Sequence, residues 1–152
     1  MLSYGLIFSQ LAKLYLGTMS ERLSALEIDR FFYPLILISE AENSICQKDL
    51  AQKLMVDNVT MVRIIDYLSE AGYLKRVKSK TDRRMHMLVI TDKAERHILE
   101  IKAAYKEINS ICFKNFNKEE KGMFHSLLLQ VKSNLINHPR REFKINFKKI
   151  NK

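Results

Sequence analysis

Residues 47–91 constrain the fold more than any other segment, because their periodicity changes from helical to extended at a single glycine. The apolar spacing predicts a short helix over about Gln47–Leu54, then a turn at residues 56–58. A second helix is predicted over about Val59–Ala71, with Gly72 as its C-terminal stop. Two short helices joined by a tight turn form a helix-turn-helix pattern.

A β-hairpin is predicted directly after this pattern. Residues 73–77 mix apolar and basic side chains, and residues 85–91 (MHMLVIT) are rich in β-forming residues. The polar segment KSKTDRR that ends at residue 84 suits a hairpin tip. A helix-turn-helix followed by a hairpin is a winged helix. The predicted fold class is therefore mainly α with a small β-hairpin.

Two helices are predicted before this segment. Apolar side chains recur at helical spacing over residues 4–26, which indicates a long first helix. Asp29 is a candidate N-cap for a second helix that reaches about Glu40. Pro34 falls inside this predicted helix, and we expect it to bend the helix because proline lacks a backbone donor.

Two more helices are predicted after the hairpin. Thr91 is expected to cap a long helix, and Asn117 with Glu120 forms a capping box that starts the last one before Pro139. The long helix carries a narrow apolar stripe that suits packing against another helix, formed by Ile98, Ile101, Tyr105, Ile108 and Cys112. Cys112 is accordingly expected to be a small buried side chain.

The charge is strongly positive and unevenly distributed. Lys and Arg number 26 against 17 Asp and Glu, for a net charge of +9. Residues 1–45 have three basic and five acidic groups, whereas the tail, residues 140–152, has six basic groups and one acid. This distribution favours a polyanionic partner, most often nucleic acid, with a membrane surface as the other candidate.

The first residues of the second short helix are the candidate base contacts. In a helix-turn-helix that helix enters the major groove, where its N-terminal residues meet base edges. The candidates at this position are Asn58, Val59, Thr60 and Arg63. Asn58 and Arg63 can hydrogen-bond bases or phosphates, whereas Val59 offers only apolar contacts, for example with a thymine methyl group.

The predicted hairpin is cationic. Six basic residues and one acid lie between Lys75 and Arg84. The candidate DNA contacts among them are Lys78, Lys80, Asp82, Arg83 and Arg84. A projecting cationic tip suits a narrow minor groove, whose negative potential attracts arginine. A solvated hairpin whose charges only prevent edge-to-edge aggregation is the alternative interpretation.

These residues resemble the MarR (multiple antibiotic resistance regulator) family of bacterial transcription factors, over roughly Leu2–Ile136. The segment QKDLA at residues 47–51 is similar to the family's short helix with its Leu-Ala pair. The family's recognition-helix pattern is matched by Thr60, Arg63, Asp66, Leu68 and Gly72. Asp82-Arg83-Arg84, followed by Ile90-Thr91, resembles the family's Asp-x-Arg wing motif and its closing Leu-Thr.

The resemblance implies a homodimer on double-stranded DNA. Residues 1–28 and 92–138 would be dimerisation helices, residues 29–91 the winged helix-turn-helix DNA-binding domain, and residues 139–152 a basic tail. Arg84 would enter the minor groove, oriented by Asp82 through a charge-assisted hydrogen bond. Most members repress genes at near-palindromic operators, and many are released by a small aromatic acid.

Catalysis, metals and cofactors are not expected. The four histidines show no ligand spacing with Cys, Asp or Glu, and there is no Gly-rich phosphate loop or nucleophile elbow. No basic residue precedes the N-terminal apolar stretch, so a signal peptide is not expected. No apolar run reaches the about 18 residues that a membrane-spanning helix needs. Two cysteines make no disulfide framework, so the expected compartment is the cytoplasm.

Departures from the family's pattern keep other functions open. Cys46 stands where the family has a capping Ser or Thr, and a helix N-terminus favours a thiolate, so a thiol-based oxidant sensor is one alternative. A winged-helix module that binds a protein is another. A membrane-associated protein is disfavoured, since the basic residues do not follow one amphipathic helix face. Met55 replaces a frequent glycine, so a strained turn is expected there.

Overall fold

The structure is a computed structural model that describes residues 3–26, 28, 31–42, 44–79 and 85–139. Its elements in chain order are α1 (Tyr4–Arg22), α2 (Phe32–Glu40), β1 (Ile45–Cys46), α3 (Gln47–Leu54), α4 (Asn58–Glu70), β2 (Leu74–Lys78), β3 (His86–Ile90), α5 (Asp92–Cys112) and α6 (Lys118–Ile136). The predicted fold class is confirmed, because a helix-turn-helix, α3 and α4, is followed by the antiparallel pair β2 and β3.

The sheet has a third strand that the sequence did not predict. Its strand order is β1–β3–β2, with antiparallel pairing throughout. Ile45 pairs with Leu88, and Leu74 pairs with Ile90 from the other side. Strand β1 escaped prediction because two residues are too few to display an alternating pattern.

The chain divides into two compact units, Met1–Ile111 and Cys112–Lys152. The core of the first unit joins side chains from every helix and strand of the helix-turn-helix and the sheet. Its fully buried large side chains include Phe32, Leu35, Ile38, Leu50, Met61, Ile65, Leu68, Tyr73, Leu88 and Ile101. One apolar face of α4 is therefore fixed in this core, which leaves the opposite face free to project.

The prediction for the start of α2 was wrong. The helix begins at Phe32 rather than near Asp29, which lies outside the described residues, and Phe31 takes the N-cap position. Pro34 is then the third residue of the helix. Because first-turn N–H groups have no partner within a helix, proline is tolerated at this position, which removes the reason given for a bend. Helix α1 likewise ends at Arg22, and Leu23 and Leu26 are buried in the turns that follow.

Both predicted C-terminal helices are present with their caps. Thr91 Oγ1 accepts a hydrogen bond from the Ala94 N–H at 3.4 Å, and Asn117 and Glu120 form a reciprocal capping box. Cys112 is exposed rather than buried, since the buried positions of α5 end at Ile108.

In the second unit, three phenylalanines around the α5–α6 turn pack edge-on, with ring centroids 5.5–6.2 Å apart. In the part of the chain that the structure describes, no helix combines the length and apolarity required to cross a membrane.

Candidate nucleic-acid interface

The turn between α3 and α4 is built on a left-handed residue. Met55 has φ 54° and ψ 39°, a conformation that costs a side-chain-bearing residue about 1–2 kcal/mol. The turn closes through a hydrogen bond from the Val56 N–H to the Ala51 carbonyl, at 3.1 Å. The strained turn that was expected because methionine stands in place of a glycine is therefore found at the backbone of Met55.

Asp57 caps the start of α4. Its Oδ1 accepts from the Thr60 N–H at 2.8 Å, and its Oδ2 accepts from the Thr60 hydroxyl at 2.7 Å. The carboxylate also complements the positive end of the helix dipole. Because the Thr60 hydroxyl proton is engaged in this cap, Thr60 can offer a ligand only an acceptor, which narrows the role predicted for it.

The outward face of the first two turns of α4 carries the other candidate contacts. Asn58 and Arg63 are exposed. Val59 is 62% exposed and Val62 is 39% exposed, whereas Met61 and Ile65 on the opposite face are completely buried. Two exposed valines flanked by an amide and a guanidinium can make apolar contacts and hydrogen bonds to the same surface, as base edges in a major groove require.

Strand β2 of the wing is largely exposed. Within β2 only Leu74 is buried, so Lys75, Val77 and Lys78 are exposed. Lys78 pairs with His86 across the hairpin, and the Ser79 N–H donates to the Met85 carbonyl at 2.9 Å. The other predicted wing contacts, namely Lys80, Asp82, Arg83 and Arg84, lie outside the described residues.

An ion pair connects the wing to α4. The Arg76 guanidinium donates to Asp66 Oδ1 at 2.6 Å, with both side chains about half exposed. In the sequence, Arg76 is one of the six basic residues of the hairpin, and Asp66 belongs to the recognition-helix pattern. The ten-residue separation between the two gives no periodic signal, so only the packing of β2 against α4 reveals the pair.

Cys46 is hydrogen-bonded within the first turn of its own helix. Cys46 is the N-cap residue of α3, but its Sγ donates to Asp49 Oδ2 at 3.2 Å. The side chain is 7% exposed. A thiol that is nearly buried and already hydrogen-bonded has little access to an oxidant, which weakens the argument for an oxidant sensor at this position.

A pair of phenols lies where α2 meets α5. The ring centroids of Tyr33 and Tyr105 are 5.6 Å apart, and Phe32 packs against both rings. Burial raises the pKa of both phenols, so both stay protonated near neutral pH. The buried Tyr105 hydroxyl has no hydrogen-bond partner among the residues that the structure describes. A buried donor without a partner is a polar group that a ligand could satisfy.

No cluster of three or more His, Cys, Asp or Glu side chains suited to a metal ion occurs within the described ranges.

Comparison with known proteins shows a similarity to one family. The family model described as "MarR family" matches residues 32–86, which run from α2 to the first residue of β3. The HTH-type transcriptional regulator PapX of Escherichia coli is 29% identical over 107 residues, which are 69% of this chain and 65% of PapX. The matched stretch thus spans slightly less than two thirds of that relative.

Solved structures share the whole fold. A MarR protein from Peptoclostridium difficile is 27% identical, with a TM-score of 0.81 over 90% of this chain and 94% of that chain. A MarR family transcriptional regulator from Listeria monocytogenes, solved in complex with 26-mer DNA, is 21% identical, with a TM-score of 0.82 over 94% of this chain and 100% of its own. The helix-turn-helix, the wing strands and these matches together make this chain similar to the MarR family over residues 32–86.

Proposed function

We propose that this chain is a sequence-specific DNA-binding transcriptional regulator that acts as a repressor. The observation that carries the proposal is the exposed N-terminal face of α4, where Asn58, Val59 and Arg63 project beside a cationic wing. In a winged helix these are the positions that meet base edges. The Listeria structure has the same fold and is bound to DNA, which supports the same mode of action here. PapX is an HTH-type transcriptional regulator, which supports a regulatory function without catalysis.

The two parts of the interface have different roles in this proposal. Arg63 and Asn58 read base edges in the major groove, while Thr60 contributes an acceptor and Val59 an apolar contact. On the wing, Lys78, Lys80 and Arg83 contact phosphates. Arg84 enters the minor groove, and Asp82 orients it. Phosphate contacts dominate affinity, so binding should weaken steeply with added salt.

Arg63→Ala and Arg84→Ala test the two parts separately. Each should weaken binding to a specific duplex by about 1–3 kcal/mol without unfolding the protein. Lys102→Ala is the matched control, since Lys102 is an exposed cation on α5 away from α4 and the wing. Fluorescence anisotropy titrations measure all three variants. An unchanged affinity for Arg63→Ala would contradict the role of α4, and an unchanged affinity for Arg84→Ala would contradict that of the wing.

The proposed assembly is a homodimer formed by residues 1–28 and 92–138. Helix α1 exposes Tyr4, Leu6, Phe8, Leu11 and Leu14. Helix α6 has no buried residue, and its exposed apolar side chains include Met123, Leu127, Leu128, Leu129, Val131 and Leu135. Apolar surface on this scale is unusual for a monomer and marks an interaction site.

Light scattering coupled to size exclusion tests the assembly. A homodimer should elute with a mass of about 36 kDa, twice the 17.9 kDa of one chain. A mass of one chain at micromolar concentration would contradict the proposed dimer, and the symmetric operator with it.

The phenol pair of Tyr33 and Tyr105 is the proposed effector site. A small aromatic acid could stack on Tyr33, which is 36% exposed, and accept a hydrogen bond from the unpartnered Tyr105 hydroxyl. Salicylate as a probe should raise the melting temperature of the wild type and release DNA, and Tyr105→Phe should weaken both effects. Equal responses in the two proteins would exclude this site.

The two alternative functions make different predictions. An oxidant sensor requires that peroxide release DNA from the wild type but not from Cys46→Ser. A winged-helix module that binds a protein would show no preference among DNA sequences. The cytoplasm is the proposed compartment, and the two free thiols agree with it.

A further inference from the structure

The C-terminal end of α4 is held by residues of α5. The α4 helix closes with a Schellman motif, in which the Gly72 N–H donates to the Ser69 carbonyl at 3.0 Å and the Tyr73 N–H donates to the Leu68 carbonyl at 2.8 Å. Gly72 takes the left-handed conformation, with φ 77°. This motif satisfies two of the last carbonyl groups of the helix and leaves that of Ala71, the C-cap residue, available.

Lys93, in the first turn of α5, binds the carbonyl group of this C-cap residue. Its Nζ donates to the Ala71 oxygen at 2.8 Å and lies 4.4 Å from the centroid of the Tyr73 ring. The lysine stem passes over Gly72, with Cδ 4.0 Å from the point that a Cβ on this glycine would occupy. A cation at this position also complements the negative end of the α4 dipole.

Two further contacts join the same segments. Thr91 Oγ1 donates to the Gly72 carbonyl at 2.7 Å, and the Thr91 N–H donates to the Tyr73 carbonyl at 3.1 Å. Tyr73 is 1% exposed, and its ring also contacts His97 on the next turn of α5, with ring centroids 5.4 Å apart. The end of α4 is thus tied to the first two turns of α5 by directional bonds as well as by packing.

Lys93 is unsuited to contact DNA itself. Its ammonium group contacts the C-terminal end of α4, a helix of 13 residues. Such a helix is about 20 Å long, and the proposed base contacts are at its opposite end. Its ammonium group is already engaged by a carbonyl and an aromatic ring, which makes it unsuited to bind a phosphate.

We propose that Lys93 is a positioning residue that sets the orientation of α4 relative to α5, and thereby the half-site spacing that the protein accepts. The inference rests on the proposed function, in which α4 reads DNA and α5 belongs to the dimer. If α5 is fixed in the dimer, the bond from Lys93 to the end of α4 fixes the distance and angle between the two recognition helices. Loss of this bond should relax the spacing requirement rather than abolish attraction to DNA.

The test compares the full-length wild type with Lys93→Met, Lys93→Arg and Lys102→Met. Methionine keeps most of the apolar stem and removes the charge, arginine restores a cationic donor, and Lys102 is an exposed lysine on the same helix. Each protein is titrated with three duplexes: the best sequence selected by the wild type, that sequence with one base pair inserted at its centre, and a scrambled sequence. Melting temperatures are measured in parallel, and titrations are done well below them.

Lys93→Met should bind the selected duplex about tenfold more weakly, which corresponds to the loss of one charge-assisted hydrogen bond. Its affinity for the inserted and scrambled duplexes, and the salt dependence of both, should stay at the wild-type level. The preference for the correctly spaced duplex is therefore smaller in Lys93→Met than in the wild type. Lys93→Arg should recover most of this preference, and Lys102→Met should retain all of it. If Lys93→Met does not fold, Thr91→Val removes the bond to Gly72 and should give the same pattern.

Other outcomes would overturn the inference. A uniform loss on all three duplexes with a shallower salt dependence would make Lys93 a phosphate contact. A lower melting temperature with unchanged spacing preference would make its role purely structural. Failure of the wild type to select any sequence would overturn the proposed function itself. This outcome is distinguishable from failure of the Lys93 inference, because it is observed with the wild type alone.

Discussion

The Asp57 carboxylate caps the helix that carries the proposed base contacts, so its removal should weaken folding and binding together. Asp57→Ala deletes the acceptor of two hydrogen bonds, from the Thr60 N–H and from the Thr60 hydroxyl. Loss of an N-cap costs about 1 kcal/mol, and a hydrogen bond between partly exposed side chains adds about 0.5–1 kcal/mol. The expected loss is about 2 kcal/mol, or about 4–8 °C in melting temperature for a chain of this size.

Two variants separate the contributions of the cap and the charge. Asp57→Asn keeps an acceptor for the Thr60 N–H and should stay within about 0.5 kcal/mol of the wild type, as asparagine caps helices as well as aspartate does. Thr60→Val removes only the hydroxyl bond. Urea denaturation followed by circular dichroism gives the free energy of unfolding for each variant.

DNA affinity provides the second readout for the same variants. Asp57→Ala should bind about fivefold more weakly than Asp57→Asn, since the cap no longer supplies about 1 kcal/mol toward ordering the first turn of α4. Both variants lack the negative charge, so their comparison removes its repulsion of phosphate. Equal stabilities for Asp57→Ala and Asp57→Asn would refute the capping argument. Equal affinities would show that the order of this turn does not matter for binding.

Three other perturbations have defined outcomes. Met55→Gly should stabilise the protein by about 0.5–1 kcal/mol in urea denaturation, because glycine relieves the left-handed strain and the methionine side chain is 53% exposed. Tyr105→Phe should leave stability unchanged or slightly higher at pH 7, since it removes an unpartnered buried hydroxyl. Burial raises the pKa of Tyr105 in the folded protein, so above pH 10 the unfolded chain loses this proton more readily than the folded one, and the free energy of unfolding falls. Tyr105→Phe should therefore flatten the fall in stability measured between pH 10 and 11. Truncation after Pro139 removes six basic residues and should reduce the salt dependence of DNA binding, and an unaltered slope would count against phosphate contacts by the tail.

The helix-turn-helix could be predicted almost to the residue because its boundaries are set by local chemistry. Helix α3 has its predicted limits, and α4 begins within one residue of the prediction, since Asp57 caps one end and Gly72 stops the other. The capping box at Asn117 is equally local. Such signals lie within four residues of one another, and a sequence displays them directly.

The remaining features depend on contacts between distant segments. The Arg76–Asp66 ion pair and the Lys93–Ala71 bond join residues 10 and 22 positions apart, so no periodicity reveals them. Strand β1 exists because β3 offers it a partner, and two residues alone have no strand pattern. By composition Arg76 is one of six hairpin cations, whereas packing pairs it with an acid of the same chain, Asp66.

Selection of bound sequences from a random duplex library, with the purified full chain, tests the central claim most directly. A dimer that places one α4 in each of two major grooves should enrich a symmetric motif, with half-site centres about 34–36 Å apart, one turn of the duplex. No enrichment over the input library, or a single half-site without a symmetric copy, would contradict the proposed dimeric regulator.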